Sequence, residues 1–216
     1  MLIEGEDLTV TIDNRTIISG ESVRCEPGKM TALVGPSGSG KTTLLHSLGL
    51  LLPITHGRIT IAGRDATGWN SRKCRKFWRD HAAFVLQDYG IIDDESAAFN
   101  VALRSRKTDD AQVADALKRT GLAHRGPELA SHFSGGEKQR LALARAIYRK
   151  AAVLLVDEPT ASLDQNNRHA VINLFTDFAR SGATVIISTH DEEMIAACDT
   201  QHTMTTRHSE NLATLD

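Results

Sequence analysis

The sequence predicts an α/β fold built on a mostly parallel sheet, and three observations carry that reading. Strand-like and helix-like patterns alternate along the chain. Residues 151–156 (Ala-Ala-Val-Leu-Leu-Val) and 185–188 (Val-Ile-Ile-Ser) are apolar without alternation, as strands covered on both faces must be. A Gly-rich segment sits between the apolar run 30–34 and the start of a helix, the setting of a phosphate-binding turn.

The elements follow in order. Residues 8–12 (Leu-Thr-Val-Thr-Ile) alternate, Asp13-Asn14-Arg15 is polar, and Thr16-Ile17-Ile18 resumes, which together read as a β-hairpin. Pro27-Gly28 turns the chain into the strand 30–34, and the helix after the Gly-rich loop opens at Thr42. Gly57 and Gly63 punctuate a short strand over 58–61, and 82–86 is a buried strand that ends at Gln87. From there to about residue 150 the pattern is helical. Val113, Ala116 and Leu117 mark one helix stopped at Gly121, and Leu141, Ala144 and Tyr148 mark another. The strand at 151–156 follows, then a helical stripe of Val171, Leu174, Phe175 and Phe178, a turn at Gly182 and the strand 185–188. No internal repeat or low-complexity linker interrupts this series.

A chain of 216 residues with 41% hydrophobic and 5% aromatic residues can bury one substantial core, so a single domain with an insertion is expected. Its net charge of −2 argues against overall attraction to nucleic acid or anionic lipid, and nucleic acid is not expected as a partner. Cys25, Cys74 and Cys198 are odd in number, far apart and without metal-ligand spacing, which points to reduced, structural thiols. The first residues, Met-Leu-Ile-Glu-Gly-Glu, do not read as a secretory signal, and no apolar run is long enough to cross a bilayer, so a cytoplasmic location is expected.

Residues Gly35-Pro36-Ser37-Gly38-Ser39-Gly40-Lys41-Thr42 form an unbroken G-x-x-x-x-G-K-T loop, followed by Thr43. Such a loop curls its N–H groups around phosphate oxygens, Lys41 reaches the β- and γ-phosphates, and the Thr42 hydroxyl is a ligand for Mg²⁺. Its four fixed positions would match by chance in fewer than about one chain of this length in a hundred. The strand ending Asp157-Glu158-Pro159 delivers two adjacent carboxylates. Beside a nucleotide loop these read as Asp157 holding Mg²⁺, mostly through water, and Glu158 acting as general base on the attacking water. Phe133-Ser134-Gly135-Gly136-Glu137-Lys138-Gln139-Arg140 leads into an Ala-rich helix. A serine and bare N–H groups at a helix start make an anion site with no lysine of its own.

That last segment resembles the signature motif of the ATP-binding cassette (ABC) ATPases. The resemblance covers roughly residues 5 to 200. It implies a P-loop NTPase fold with a RecA-like sheet, an N-terminal antiparallel β subdomain and an inserted helical subdomain. The nucleotide-binding core would be 1–86 and 151–216, and the helical signature subdomain 87–150. It implies ATP and Mg²⁺ as cofactors and a head-to-tail dimer, in which Ser134, Gly135, Gly136 and Glu137 clamp the γ-phosphate of ATP on the second copy's phosphate loop. Gln87 resembles the Q-loop glutamine that touches Mg²⁺ or the attacking water. Ala161-Ser162-Leu163-Asp164 resembles the D-loop, and His190 the switch histidine that contacts the γ-phosphate. Family members usually place an aromatic on adenine from the first hairpin, and the matching position here is Ile12, which implies weaker nucleotide stacking. Phe133 stands where Leu is usual and should alter packing rather than the phosphate contact.

The family implies a cytosolic ATPase subunit, peripheral on the inner face of the membrane, that powers export or extraction of a substrate through a separate transmembrane permease. Compact length and the Lys-Gln-Arg after the signature resemble the subgroup of macrolide, lipoprotein, antimicrobial-peptide and haem exporters. The alternatives are a cell-division ATPase that signals through a membrane partner without transport and a soluble ABC ATPase of DNA repair or translation. The latter usually carries coiled-coil insertions, zinc modules or tandem cassettes, and this chain has none. Residues 89–92 carry enough apolar surface to form part of a permease groove or a buried segment. The basic run Arg72-Lys73-Cys74-Arg75-Lys76-Phe77-Trp78-Arg79 reads as a solvated helix face or an anion-facing one. His202 and His208 fall in a polar tail and receive no role.

Overall fold

The structure is a computed structural model, and it describes residues 1–86, 90–103, 110–160 and 163–204. Two sheets organise it. β1 (Ile3–Ile12), β2 (Arg15–Cys25), β4 (His56–Ile61) and β5 (Arg64–Asp65) form an antiparallel sheet in the order β2-β1-β4-β5. β3 (Met30–Val34), β6 (Ala82–Val85), β7 (Val153–Asp157), β8 (Thr184–Ser188) and β9 (Thr200–Thr203) form a parallel sheet in the order β6-β7-β8-β3-β9. The hairpin turn carries Asp13 and Asn14 at φ 48° and 60°, the paired left-handed conformation that suits the twist of two adjoining strands.

The continuous apolar runs are explained by what covers the parallel sheet. Val153 and Leu155 face a core shared with α1 (Lys41–Leu48) and the antiparallel sheet, beside Leu44, Leu48 and Ile59. Leu154 and Val156 face the opposite core, against Ala142 and Leu143 of α5 (Gly135–Tyr148) and Phe175 of α6 (Gln165–Arg180). Successive side chains of a strand point to opposite faces, so a sheet covered twice needs apolar residues at every position. A third cluster joins α3 (Ala97–Ala102), α4 (Asp110–Arg119) and α5 through Val101, Val113, Leu117, Leu141 and Ala144. Helix α5 therefore contributes one stripe to the sheet's core and another to the helical layer.

Several elements differ from the sequence expectation. Helix α1 begins at Lys41, one residue earlier than read. The basic run lies within α2 (Ser71–Asp80), capped by Asn70, where Phe77 is buried and most of the cations are exposed. α7 (Glu192–Ala197) and β9 have too little apolar periodicity to announce themselves. His202 consequently lies in a strand rather than a polar tail. Its Nε2 meets the Glu21 carboxylate at 2.8 Å, and Glu21 is buried. Parallel pairing to β3 decides this, with Leu33 opposite His202. His208 lies outside the described residues.

Cys25 is buried, and the three thiols are unbridged; burial pushes Cys25 and Cys198 up to about 12. Among the described residues no helix is long and apolar enough to cross a membrane. Leu155 is fully buried between β7's neighbours and α1. Leu155→Ala should cost about 2–5 kcal/mol of unfolding free energy, read from urea denaturation midpoints.

Candidate functional site

The phosphate loop connects β3 to α1 and curls because its glycines allow conformations that other residues resist. Gly38 and Gly40 lie at φ 78° and 93°. A Cβ on Gly40 would stand 2.4 Å from Ile18 Cγ2, so the loop is also pressed against β2. Lys41 Nζ donates to the carbonyls of Gly35 at 3.0 Å and Pro36 at 3.3 Å, and it lies 3.7 Å from Glu158 Oε1. The Ser39 hydroxyl is buried with no hydrogen-bond partner. A desolvated donor inside a loop of N–H groups is the arrangement an anionic oxygen would satisfy.

Thr42 Oγ1 donates to Asp157 at 3.0 Å and 3.1 Å to the two carboxylate oxygens. Asp157 ends β7, and the next residue, Glu158, turns out of the strand at φ 44° with its N–H bonded to the Ser188 carbonyl at 2.9 Å. A left-handed Glu is sterically disfavoured, and such conformations persist where surrounding bonds impose them. The turn aims the Glu158 carboxylate at Lys41 and at His190, whose Nδ1 stands 2.9 Å from Glu158 Oε2. The phosphate loop, both carboxylates and His190 thus converge at the carboxyl ends of β3, β7 and β8. Gln87, Ala161 and Ser162 lie outside the described residues. Leu163 and Asp164 are described, and Asp164 caps α6 by accepting from Asn167 N–H at 3.0 Å.

The signature residues open α5. Ser134 caps the helix, accepting from Glu137 N–H, while the Glu137 carboxylate accepts from Ser134 N–H at 2.8 Å and from its hydroxyl at 2.9 Å. This reciprocal box satisfies two helix-end donors. Gly136 is buried under Asn167, where a Cβ would stand 3.2 Å from its Cγ. Phe133 is buried in the helical layer, with the Arg125 guanidinium 4.0 Å above its ring. Arg125 also pairs with Glu137 and Glu128. Among the described residues no hydrogen bond or ion pair links Ser134–Glu137 to the phosphate loop. Ile12 stands at the end of β1 opposite Arg15, 40% exposed.

Sequence reasoning missed two residues around the site. Ser188 donates its hydroxyl to Asp157 Oδ1 from full burial. Arg145 donates to the carbonyls of Asn100 and Gly90, each at 2.9 Å, which ties the segment after residue 89 to α3 and α5. Burial lowers the Arg145 pKa. Both side chains find their partners far along the chain, and no local pattern marks them. Within 89–92, Tyr89 lies outside the described residues, Ile91 packs on two clusters and Ile92 is exposed.

The geometry defines a nucleotide-binding P-loop fold of the ATPase class. The profile of the family described as "ABC transporter" matches residues 18–161. The chain is 38% identical over 197 residues to the lipoprotein-releasing system ATP-binding protein LolD of Novosphingobium aromaticivorans, covering 88% of this chain and 87% of that protein. It is 38% identical over 177 residues to the macrolide export ATP-binding/permease protein MacB of Rhodopseudomonas palustris, covering 79% of this chain and 27% of that protein. Its fold matches a dimeric post-hydrolysis state of the ATP-binding cassette MJ0796 bound to ADP and Pi, with a TM-score of 0.84, 25% identity and 94% coverage of both chains. The protein belongs to the ABC transporter family. Within that family it is an ATP-hydrolysing subunit related to the LolD and MacB exporter ATPases.

Burial pushes the Glu137 carboxyl up, but bonds from the Ser134 N–H and hydroxyl and the Arg125 guanidinium outweigh it and hold Glu137 below its usual 4.5. A depressed carboxyl stabilises the fold above its unfolded pKa and loses that contribution as pH falls through the folded one. Glu137→Gln should cost about 1 kcal/mol at pH 7. The gap to the parent should close as pH falls below about 4.5, measured by denaturation at a series of pH values.

Proposed function

We propose that two copies of this chain pair head to tail with ATP at each interface, cradled by one copy's phosphate loop and clamped by the other's signature residues. The observation that carries this reading is the separation within one chain of two complementary anion sites. One is the phosphate loop with Lys41; the other is the lysine-free, serine-capped start of α5 at Ser134–Glu137, which among the described residues makes no hydrogen bond or ion pair to that loop.

Hard oxygen donors suit Mg²⁺, and the Thr42 hydroxyl and Asp157 carboxylate supply them side by side. Among the described residues no cluster of three His, Cys, Asp or Glu side chains competes as a metal site. Thr42 would hold the ion directly, Asp157 through water, and Gln87 is assigned to the same shell by the family pattern. Bound there, Mg²⁺ neutralises charge on the β- and γ-phosphates. Lys41 leaves its resting carbonyls to meet the same oxygens. Glu158, oriented by His190, takes the proton of the attacking water as the water adds in line to the γ-phosphorus, and ADP departs. Ile12 offers adenine apolar cover without an aromatic stack.

Closure on ATP and reopening after hydrolysis would drive a separate transmembrane permease, with this subunit peripheral on the cytoplasmic face. The kinship with lipoprotein-releasing and macrolide-export ATPases supports export or extraction as the work done. Co-purification of a membrane-spanning partner from the native membrane tests that association.

Glu158→Gln should lower steady-state hydrolysis by about 10²–10⁴ while ATP affinity holds, because the amide keeps the shape and loses the base. Turnover within about threefold of the parent removes Glu158 from that role. The pairing has its own test in Ser134→Arg mixed with Lys41→Ala. Each variant alone damages both composite sites of its dimer, whereas the mixed dimer carries one intact site and one damaged twice. ATP-dependent dimers should appear by size-exclusion chromatography only in the mixture, and their absence with both proteins folded counts against the arrangement.

A further inference from the structure

We propose that Ser188 is a positioning residue for the metal-side carboxylate, holding Asp157 in the rotamer that presents it to the water shell of Mg²⁺. The inference rests on Asp157 serving that ion. β7 and β8 run parallel in a register that sets Asp157 directly beside Ser188, each the last residue of its strand. Neighbours in register project to the same side of a sheet, so the hydroxyl and the carboxylate meet without either leaving its strand. Ser188 is fully buried, Asp157 is 8% exposed, and Ser188 Oγ donates to Asp157 Oδ1.

The same oxygen accepts from Thr42 Oγ1 at 3.0 Å, so Oδ1 is held by two hydroxyls from two elements. Among the described residues Oδ2 has one such donor, Thr42 at 3.1 Å, and is left with the freer lone pair. The two grips differ in what nucleotide binding asks of them. Thr42 has to share its oxygen with an arriving cation, whereas among the described residues the buried Ser188 hydroxyl bonds Asp157 alone. Ser188 also accepts the Glu158 N–H through its own carbonyl at 2.9 Å, so one residue fixes the side chain of one carboxylate and the backbone of the next. A buried apolar side chain in its place would leave Oδ1, among the described residues, with the Thr42 bond alone.

Asp157, reaching the ion through water, is itself an outer-shell group; such groups commonly set affinity by about 10–100-fold, and Ser188 acts through it. Because Thr42 remains, the low end is expected here. The experiment measures Mn²⁺ affinity of the ADP-bound protein by electron paramagnetic resonance, with metal-free ADP affinity and thermal melting recorded in parallel. Ser188→Ala should weaken Mn²⁺ about tenfold with ADP affinity and melting temperature near the parent's, and excess Mg²⁺ should restore hydrolysis. Ser188→Thr, which keeps the hydroxyl, should bind Mn²⁺ within about threefold of the parent. The proposal is overturned if Ser188→Ala binds Mn²⁺ within twofold of the parent, if its hydrolysis stays low at saturating metal, or if Ser188→Thr loses the metal as Ala does. Asp157→Asn separates the two readings. If it leaves Mn²⁺ affinity unchanged, the metal assignment of Asp157 itself fails; if it weakens Mn²⁺ while Ser188→Ala does not, only the role of Ser188 does.

Discussion

The bond between Thr42 and Asp157 is the constraint on which the site depends. It joins the first turn of α1 to the end of β7, and so fixes the phosphate loop against the sheet that carries both carboxylates. Everything nearby is set by reference to it. Lys41 precedes Thr42 by one residue and points into the loop; Glu158 follows Asp157 by one and turns back toward Lys41. A parallel sheet suits this construction because it brings the carboxyl ends of β3, β7 and β8 to one edge, where crossover connections deliver polar residues without disturbing the apolar faces behind them.

Helix α5 links that edge to the rest of the molecule. Its start bears the signature residues, its middle packs on the sheet through Ala142, Leu143 and Ala146, and its opposite stripe carries the helical layer through Leu141 and Ala144. Gly136 lies under Asn167, which Arg140 also holds at 2.8 Å, so the signature turn is braced by the helix that follows the carboxylates. Arg145 then pins the Gly90 carbonyl to the same helix. A shift of the helical layer has to move the segment beyond residue 89 with it.

The N-terminal sheet is fastened to the parallel sheet at the far edge. Glu21 of β2 and His202 of β9 meet at 2.8 Å, and Met204 N–H bonds the Val34 carbonyl at 2.8 Å immediately before the phosphate loop. Gly35 has no room for a Cβ, which would stand 2.7 Å from Ser39 Oγ and 3.1 Å from Met204 Cβ. The loop is therefore confined between β2 on one side and the chain after β9 on the other, and its shape is imposed by packing as well as by glycine.

The sequence by itself determined the features that are local. Glycines and Lys41-Thr42 specify a phosphate loop because backbone freedom and charge are needed within eight residues. Unbroken apolar runs specify strands covered on both faces, and the 3.6-residue stripes of α4, α5 and α6 specify helices. The adjacency of Asp157 and Glu158 could be read, but not that Glu158 turns left-handed, since its conformation is imposed by the Ser188 carbonyl on another strand. Only the tertiary structure placed Ser188 on Asp157 across 31 residues and His202 on Glu21 across 181. Serine at a strand end and histidine in a polar stretch carry no periodic signal. The register of parallel strands, settled by burial on both faces at once, is what brings such pairs together.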